Sequence, residues 1–259
     1  MVKQIRNKTL WVTGASSGIG RALSLRLARH DNIVIASGRR YEALAELQKL
    51  CPERIRVLDC DVADDDAMAA VPERLEALTG HLDMVVACAG TCEYDDDLQL
   101  DGLSYRRVFD ANFFGVVNTL RSALPLLGAS PAPVFAALGS LSSVVPFPRA
   151  EAYGSSKAAL DYFLGAVRAD LCRTALKVVL IRPGFVRTPL TARNDFAMPF
   201  LMSAEQAAER IELGLCKGRN TIDFPRRLSW PLRFLGSCKA LWFHLCVPKL
   251  TRIRTLRKH

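Results

Sequence analysis

The sequence predicts an α/β domain: a doubly wound parallel sheet of about seven strands with helices on both faces. Three observations carry that reading. Short runs that are apolar throughout alternate with stretches of helical periodicity from near the first residue onward. Strands that are apolar on both faces belong to sheets covered on both sides, and such sheets are parallel. A glycine-rich turn follows the first apolar run directly, and 50% of the 259 residues are apolar, enough for one sizeable core.

In order, residues 9–13 (Thr-Leu-Trp-Val-Thr) form the first strand, and 18–29 a helix with Ile19, Leu23 and Leu27 at helical spacing. Residues 33–36 are the second strand, followed by a helix over 41–50 with Leu44 and Leu47 on one face. Residues 55–58 are the third strand, 64–78 a helix and 82–89 the fourth strand. The second half repeats the alternation: a long helix at 104–127, a strand at 134–138, a helix at 152–172, a strand at 177–181, a helix at 204–215 and a candidate seventh strand at 221–224. In such sheets the ligand sits beyond the carboxyl ends of the strands.

The formal net charge of +9 is unevenly spread. Residues 1–214 carry 24 basic and 25 acidic side chains, whereas 215–259 carry 11 basic ones and a single acid, Asp223. A near-neutral body argues against a nucleic-acid groove. The eight cysteines, at 51, 60, 88, 92, 172, 216, 238 and 246, show no C-x-x-C pair and no spacing to histidine that suggests zinc, so no metal is expected. The first residues hold no apolar run of the kind a secretory leader needs, and a reducing, cytoplasmic location fits both observations.

Two motifs carry chemistry. The first is Thr13-Gly14-Ala15-Ser16-Ser17-Gly18-Ile19-Gly20, between the first strand and the first helix. Glycines there let a strand reverse tightly into a helix and let backbone approach a diphosphate at a helix N-terminus. The second is Tyr153-Gly154-Ser155-Ser156-Lys157, whose Tyr and Lys share one helix face. A tyrosine pKa near 10 is lowered by a neighbouring ammonium, which lets the phenol exchange a proton with a carbonyl or alcohol oxygen.

The glycine spacing is T-G-x-x-x-G-x-G, not the usual G-x-G-x-x-G. On these motifs the chain, from residue 10 to 215, resembles the short-chain dehydrogenase/reductase family. The resemblance implies a single Rossmann-type catalytic domain over 1–224. It implies Tyr153 as acid/base, Ser140 as the serine that orients the reacting oxygen, and Lys157 as the group that tunes Tyr153 and bonds the nicotinamide ribose. Asn112 would hold a water in a relay toward the lysine. Ser142 and Ser143 compete with Ser140, which is favoured because it directly follows the apolar run 134–138. His30 and His81 read as surface residues, and no histidine is placed as a general base.

The same resemblance assigns cofactor positions. Gly14, Ser16, Ser17, Gly18, Ile19 and Gly20 would cradle the diphosphate, and Asp61 and Val62 the adenine. Ala89 and Gly90 would pass the adenine ribose, within Ala87-Cys88-Ala89-Gly90, where the family usually has Asn-Asn-Ala-Gly. Pro183, Gly184, Val186 and Thr188 would cover the nicotinamide. Enzymes that prefer NAD place an acid at the end of the second strand. Here that position is read as Ser37, followed by Arg39 and Arg40. Guanidinium groups pair with a 2′-phosphate, so NADP is favoured over NAD.

Phe196, Met198, Phe200, Leu201 and Met202 lie in the segment that forms a lid in this family; they either line a lipophilic substrate site or pack the lid onto the core. The expected activity is NADP(H)-dependent interconversion of a carbonyl and an alcohol. Alternatives are 3-oxoacyl-carrier-protein reduction and a noncatalytic dinucleotide sensor. Family likeness further implies a homodimer or homotetramer joined through the helices at 104–127 and 152–172.

Residues 225–259 form a basic amphipathic C-terminal extension. On one continuous helix, Trp230, Phe234, Leu235, Leu241, Trp242 and Leu245 would share an apolar arc opposite Arg233, Ser237 and His244. Aromatics beside basic residues suit an anionic membrane surface. Packing on the body or on a partner subunit, or binding an acidic partner, are the other readings.

Overall fold

A computed structural model describes residues 4–253. Seven parallel strands form one sheet in the order β3-β2-β1-β4-β5-β6-β7. They are β1 (Thr9–Thr13), β2 (Ile33–Gly38), β3 (Ile55–Asp59), β4 (Met84–Ala87), β5 (Val134–Leu138), β6 (Lys177–Pro183) and β7 (Thr221–Phe224). In β1, Leu10 pairs with Val34 on one side and Met84 on the other. The strand order reverses between β1 and β4, which opens a crevice at their carboxyl ends.

The pleat sends alternate residues to opposite faces. Leu10, Val12, Val34 and Ala36 join one core with Leu23 and Leu27 of α1 (Gly18–Ala28), Leu44 and Leu47 of α2 (Tyr41–Lys49), and Ile211 of α8 (Ala204–Cys216). Trp11, Ile35 and Phe135 join the other. That second core is covered by α3 (Asp65–Ala69), α4 (Val71–Leu78), α6 (Gly115–Leu127) and α7 (Glu151–Asp170).

Several elements differ from expectation. The helix read at 64–78 is two. Asp64 caps α3 by accepting from the Ala67 N–H at 3.0 Å, and Pro72 sits in the first turn of α4, where its missing N–H costs nothing. The stretch read at 104–127 starts earlier, with α5 (Gly102–Phe109), and a π-helical turn at Asp110–Phe114 separates it from α6.

The C-terminal segment is not one helix. It comprises α9 (Arg226–Ser237), α10 (Lys239–Leu241), a π-helical turn (Trp242–Cys246) and α11 (Val247–Leu250). Cys238 breaks helical backbone at φ −121°, ψ 74°, which divides the expected apolar arc. Leu232 and Trp242 are buried against Leu141 and Val145, while Trp230 and Phe234 face outward. The Trp242 indole donates to the Pro146 carbonyl at 2.8 Å and packs edge-on to Phe147. No helix among the described residues is long and apolar enough to cross a membrane.

Candidate active site

The turn after β1 is built by steric necessity. Gly14 has φ +66°, and a Cβ there would lie 2.7 Å from the Ala89 nitrogen. A Cβ on Gly20 would overlap the Gly14 carbonyl oxygen. Backbone therefore packs on backbone where β1 meets the end of β4. Ser17, the N-cap of α1, makes no side-chain cap, and the first turn carries no acid. Its N–H groups stay open to an anion, so the turn fits a diphosphate.

At the rim, the strand phase differs from the sequence reading. Ser37 is fully buried and its Oγ accepts from the Trp11 indole at 2.7 Å. Its side chain faces the core and is closed to a ribose. Gly38, one residue on, faces Ser16. Arg40 donates to the Ser16 carbonyl at 3.3 Å, and Arg39 stands 3.7 Å from the Asp61 carboxylate. Val62 also turns its side chain into the core, leaving its main chain to a ligand.

Tyr153 lies in the first turn of α7 with Lys157 one turn on. The Lys157 ammonium is 5.9 Å from the centre of the Tyr153 ring and donates to the Leu138 carbonyl, at the end of β5, at 2.8 Å. Ser140 lies beside Tyr153, near enough for its hydroxyl to lower the phenol's pKa. Burial pushes the Tyr153 phenol up to about 12, against the lowering effect of the Ser140 hydroxyl, and pulls Lys157 down to about 8. Desolvation thus outweighs Ser140, and Tyr153 stands protonated at neutral pH, raised and not lowered as expected of a phenol beside an ammonium. Burial also raises the Cys88 thiol to about 12, which leaves it uncharged beside Lys157.

The three serines separate. Ser140 reaches Tyr153, Ser143 donates to the Ser140 carbonyl and reaches Asp161, and the Ser142 hydroxyl is buried without a partner among the described residues. The Asn112 side chain is engaged. It accepts from the Thr91 N–H at 2.8 Å and donates to the Thr91 carbonyl and to Ser156 Oγ, each at 3.0 Å. Both amide hydrogens are thus used, and one lone pair of Oδ1 is what the side chain has left to offer a water.

Gly90, Tyr153, Lys157, Gly184, Val186 and Thr188 open onto one cleft of roughly 100 Å³, which Ile19 and Cys88 also line. Beyond it, Phe196 packs edge-on to Tyr94 at 5.7 Å and to Phe185 at 5.9 Å, whereas Phe200 and Leu201 point outward. Met198 receives the Asn194 amide at its sulfur, and Met202 packs on the core.

Three participants at this mouth had no sequence signal. Tyr94 donates to Asn194 at 3.0 Å. Arg149 lies over the Tyr94 ring and pairs with Asp96 and, at 2.8 Å, with Asp195. Arg252, from the C-terminal segment, pairs with the same Asp195 at 2.6 Å. The two guanidiniums hold the Asp195 carboxyl far below the usual carboxylate range. His30 is not the surface residue expected: it is largely buried and bonded at 2.9 Å to Glu212, which also takes Arg26. Among the described residues no His, Cys, Asp and Glu converge as metal ligands.

A family model described as short chain dehydrogenase matches residues 8–197. An uncharacterized oxidoreductase of Myxococcus xanthus (strain DK1622) is 36% identical over 87% of this chain and 90% of its own length. Estradiol 17-beta-dehydrogenase 2 of Rattus norvegicus is 33% identical over 74% of this chain and 51% of its own. Among solved structures, a short chain dehydrogenase from Burkholderia cenocepacia J2315 in complex with NADP superposes with TM-score 0.82 at 22% identity, covering 95% of this chain and 100% of that one. A short chain dehydrogenase/reductase from Burkholderia phymatum in complex with NAD gives 0.83 at 18%, covering 99% of each chain.

Proposed function

The chain belongs to the short-chain dehydrogenase family and is an alcohol/carbonyl oxidoreductase, and from that premise we propose that it uses NADP(H) to interconvert a carbonyl and an alcohol on a lipophilic small molecule. The observation that carries this is the meeting of Tyr153 and Lys157 at a cleft that Ile19 of the glycine turn also lines, with Ser140 beside Tyr153.

When bound, the nicotinamide supplies hydride to the carbonyl carbon or accepts it from the alcohol. Tyr153, protonated at neutral pH, gives its hydroxyl proton to the carbonyl oxygen, and Ser140 orients that oxygen by a second hydrogen bond. In the alcohol direction Tyr153 takes the proton back. Lys157, one turn away, offers positive charge to the phenolate that forms; Asn112 would hold a water in a relay toward the lysine.

Gly14, Ser16, Ser17, Gly18, Ile19 and Gly20 would hold the cofactor's diphosphate. Asp61, with the main chain of Val62, would hold the adenine, Ala89 and Gly90 its ribose, and Pro183, Gly184, Val186 and Thr188 the nicotinamide. NADP is preferred because Arg39 and Arg40 flank a corner where Gly38 supplies no carboxylate to repel a 2′-phosphate. The solved relatives, one with NADP and one with NAD, favour neither. A lipophilic substrate fits the aromatic mouth of Tyr94, Phe185 and Phe196.

Exposed Leu103, Phe114 and Tyr162 lie on α5, the π-helical turn and α7, a surface suited to a homodimer or homotetramer. Eight cysteines that form no disulfide suit the cytoplasm, with residues 225–259 holding the enzyme at a membrane surface.

The test is oxidation of NADPH and of NADH against ketones, aldehydes and 3-oxoacyl thioesters. Turnover should be faster with NADPH. Tyr153→Phe should lower kcat by roughly 100-fold or more while NADPH still binds. Unchanged turnover in that variant would refute the assignment.

A further inference from the structure

We propose that the outward face of α9 docks on an anionic lipid bilayer, with Trp230 and Phe234 in the interface and Arg226, Arg227 and Lys239 at the headgroups. This specifies the membrane part of the reading above and rests on none of its chemistry.

The inner face of α9 is already occupied. Leu232 and Ser229 are buried, with Leu228 and Leu235 packed beside them against Leu141 and Val145. Gly236 lies so close to Val144 that a Cβ would meet its carbonyl oxygen at 2.8 Å. The helix is therefore held as a rigid element of the body, and its opposite face is free to meet something else.

That opposite face is not polar, as a solvated one would be. Trp230 is 71% exposed and Phe234, one turn on, is 66% exposed. At 100° per residue the two sit side by side, with Arg226 and Arg233 along one flank and Arg227 along the other. Phe243 and Leu245, in the turn that follows, are also exposed. The body needs none of these aromatics, since Trp242 and Leu232 supply its contacts.

The charge pattern selects the occupant. From residue 224 to 259 the sequence contains no Asp or Glu. Arg233 is neutralised by Asp223 at 3.3 Å, but Arg226, Arg227, Lys239 and Lys249 have no ion pair among the described residues. Exposed Trp and Phe within an unpaired basic surface match the interfacial zone of an anionic leaflet, where the indole sits at headgroup depth and cations meet phosphate. A second copy of the same face would bring like charges together. With no helix among the described residues able to span, attachment would be from one side.

The structure provides its own reporter. Trp11 and Trp242 are buried, so a change in tryptophan emission on binding comes from Trp230. The full-length protein is mixed with vesicles of phosphatidylglycerol or of phosphatidylcholine. The expected result is sedimentation with the former only, weakened by salt, with a blue shift that Trp230→Phe removes. Arg226→Glu with Arg227→Glu, or Trp230→Ser with Phe234→Ser, should each reduce binding at least tenfold. Tyr153→Phe should bind as the unaltered protein does, so docking and chemistry can fail separately. Binding to neither vesicle overturns the proposal, as does binding that survives charge reversal. A dimer in sedimentation velocity that Trp230→Ser dissociates, in protein that ignores both vesicles, assigns the face to a second copy instead.

Discussion

The cofactor side and the substrate side of the cleft are made of different materials. On the cofactor side, between β1 and β4, backbone lies on backbone, and Gly14 and Gly20 are there because nothing larger fits. On the substrate side the walls are side chains tied across distant parts of the chain: Tyr94 to Asn194, and Arg149 and Arg252 to Asp195. A backbone site is rigid and specific for residue type. A side-chain site can be retuned one contact at a time.

The comparison is broken most completely at Gly14. In Gly14→Ala a Cβ must enter at 2.7 Å from Ala89 on a left-handed backbone, a strain of about 1–3 kcal/mol before the overlap is counted. NADPH binding, measured by titration calorimetry, should fall by more than roughly 100-fold, with a melting temperature lower by several degrees. Near-normal binding would show that the turn can spread.

Lys157 sits where the two sides meet, and it is held at a cost to stability. Its ammonium titrates near 8 in the folded protein against 10.5 ordinarily, through burial. Between those values the unfolded chain carries a proton on Lys157 that the folded protein lacks, so the Lys157 contribution to stability rises with pH across the window, by up to roughly 3 kcal/mol. Burial holds the Cys88 and Cys92 thiols, at about 12 and about 11, protonated in the folded protein over the same window, which works the other way. In urea unfolding without cofactor at pH 8 and pH 10, stability should therefore fall further, or rise less, in Lys157→Met than in the unaltered protein, and the variant should lose turnover.

Arg39 sharpens the comparison at the outer edge of the cofactor side. It is exposed and only loosely paired with Asp61, so Arg39→Asp should leave the fold intact. The ratio of kcat/KM for NADPH over NADH should fall by roughly 10- to 100-fold. An unchanged ratio would move the 2′-phosphate contact to Arg40 or remove it.

How much was legible follows the same division. The glycine turn, the apolar strands and the Tyr153–Lys157 pair stood out because sterics and helical spacing demand particular residues at particular intervals. The Ser37 position was misread because a strand side chain flips face with each residue, so a phase slip of one exchanges Ser37 for Gly38. The π-helical turn around Asn112 adds one residue to a helical turn without changing its composition. The tail's arc assumed a continuous helix that Cys238 interrupts. The contacts of Asp195 join segments with no fixed interval between them, and no periodicity could mark those.

Those contacts yield the smallest predicted effect, and the one that tests the substrate side most directly. Asp195 is exposed, but two guanidiniums, one on the loop before α7 and one beyond α11, meet at its carboxylate. Because its carboxyl titrates far below the usual range, the tie should persist as pH falls past ordinary carboxylate values. Screening should loosen it, since the pairs face solvent. Asp195→Asn should therefore raise KM about 3- to 10-fold with kcat within about twofold, and Arg252→Ala should do the same more weakly, because Arg149 still holds the lid. Raising salt from about 0.05 to about 0.5 M should raise KM in the unaltered protein and far less in Asp195→Asn. If kcat falls while KM and its salt dependence stay put, the tie orders reacting groups instead of the lid, and the substrate side would be as rigid as the cofactor side.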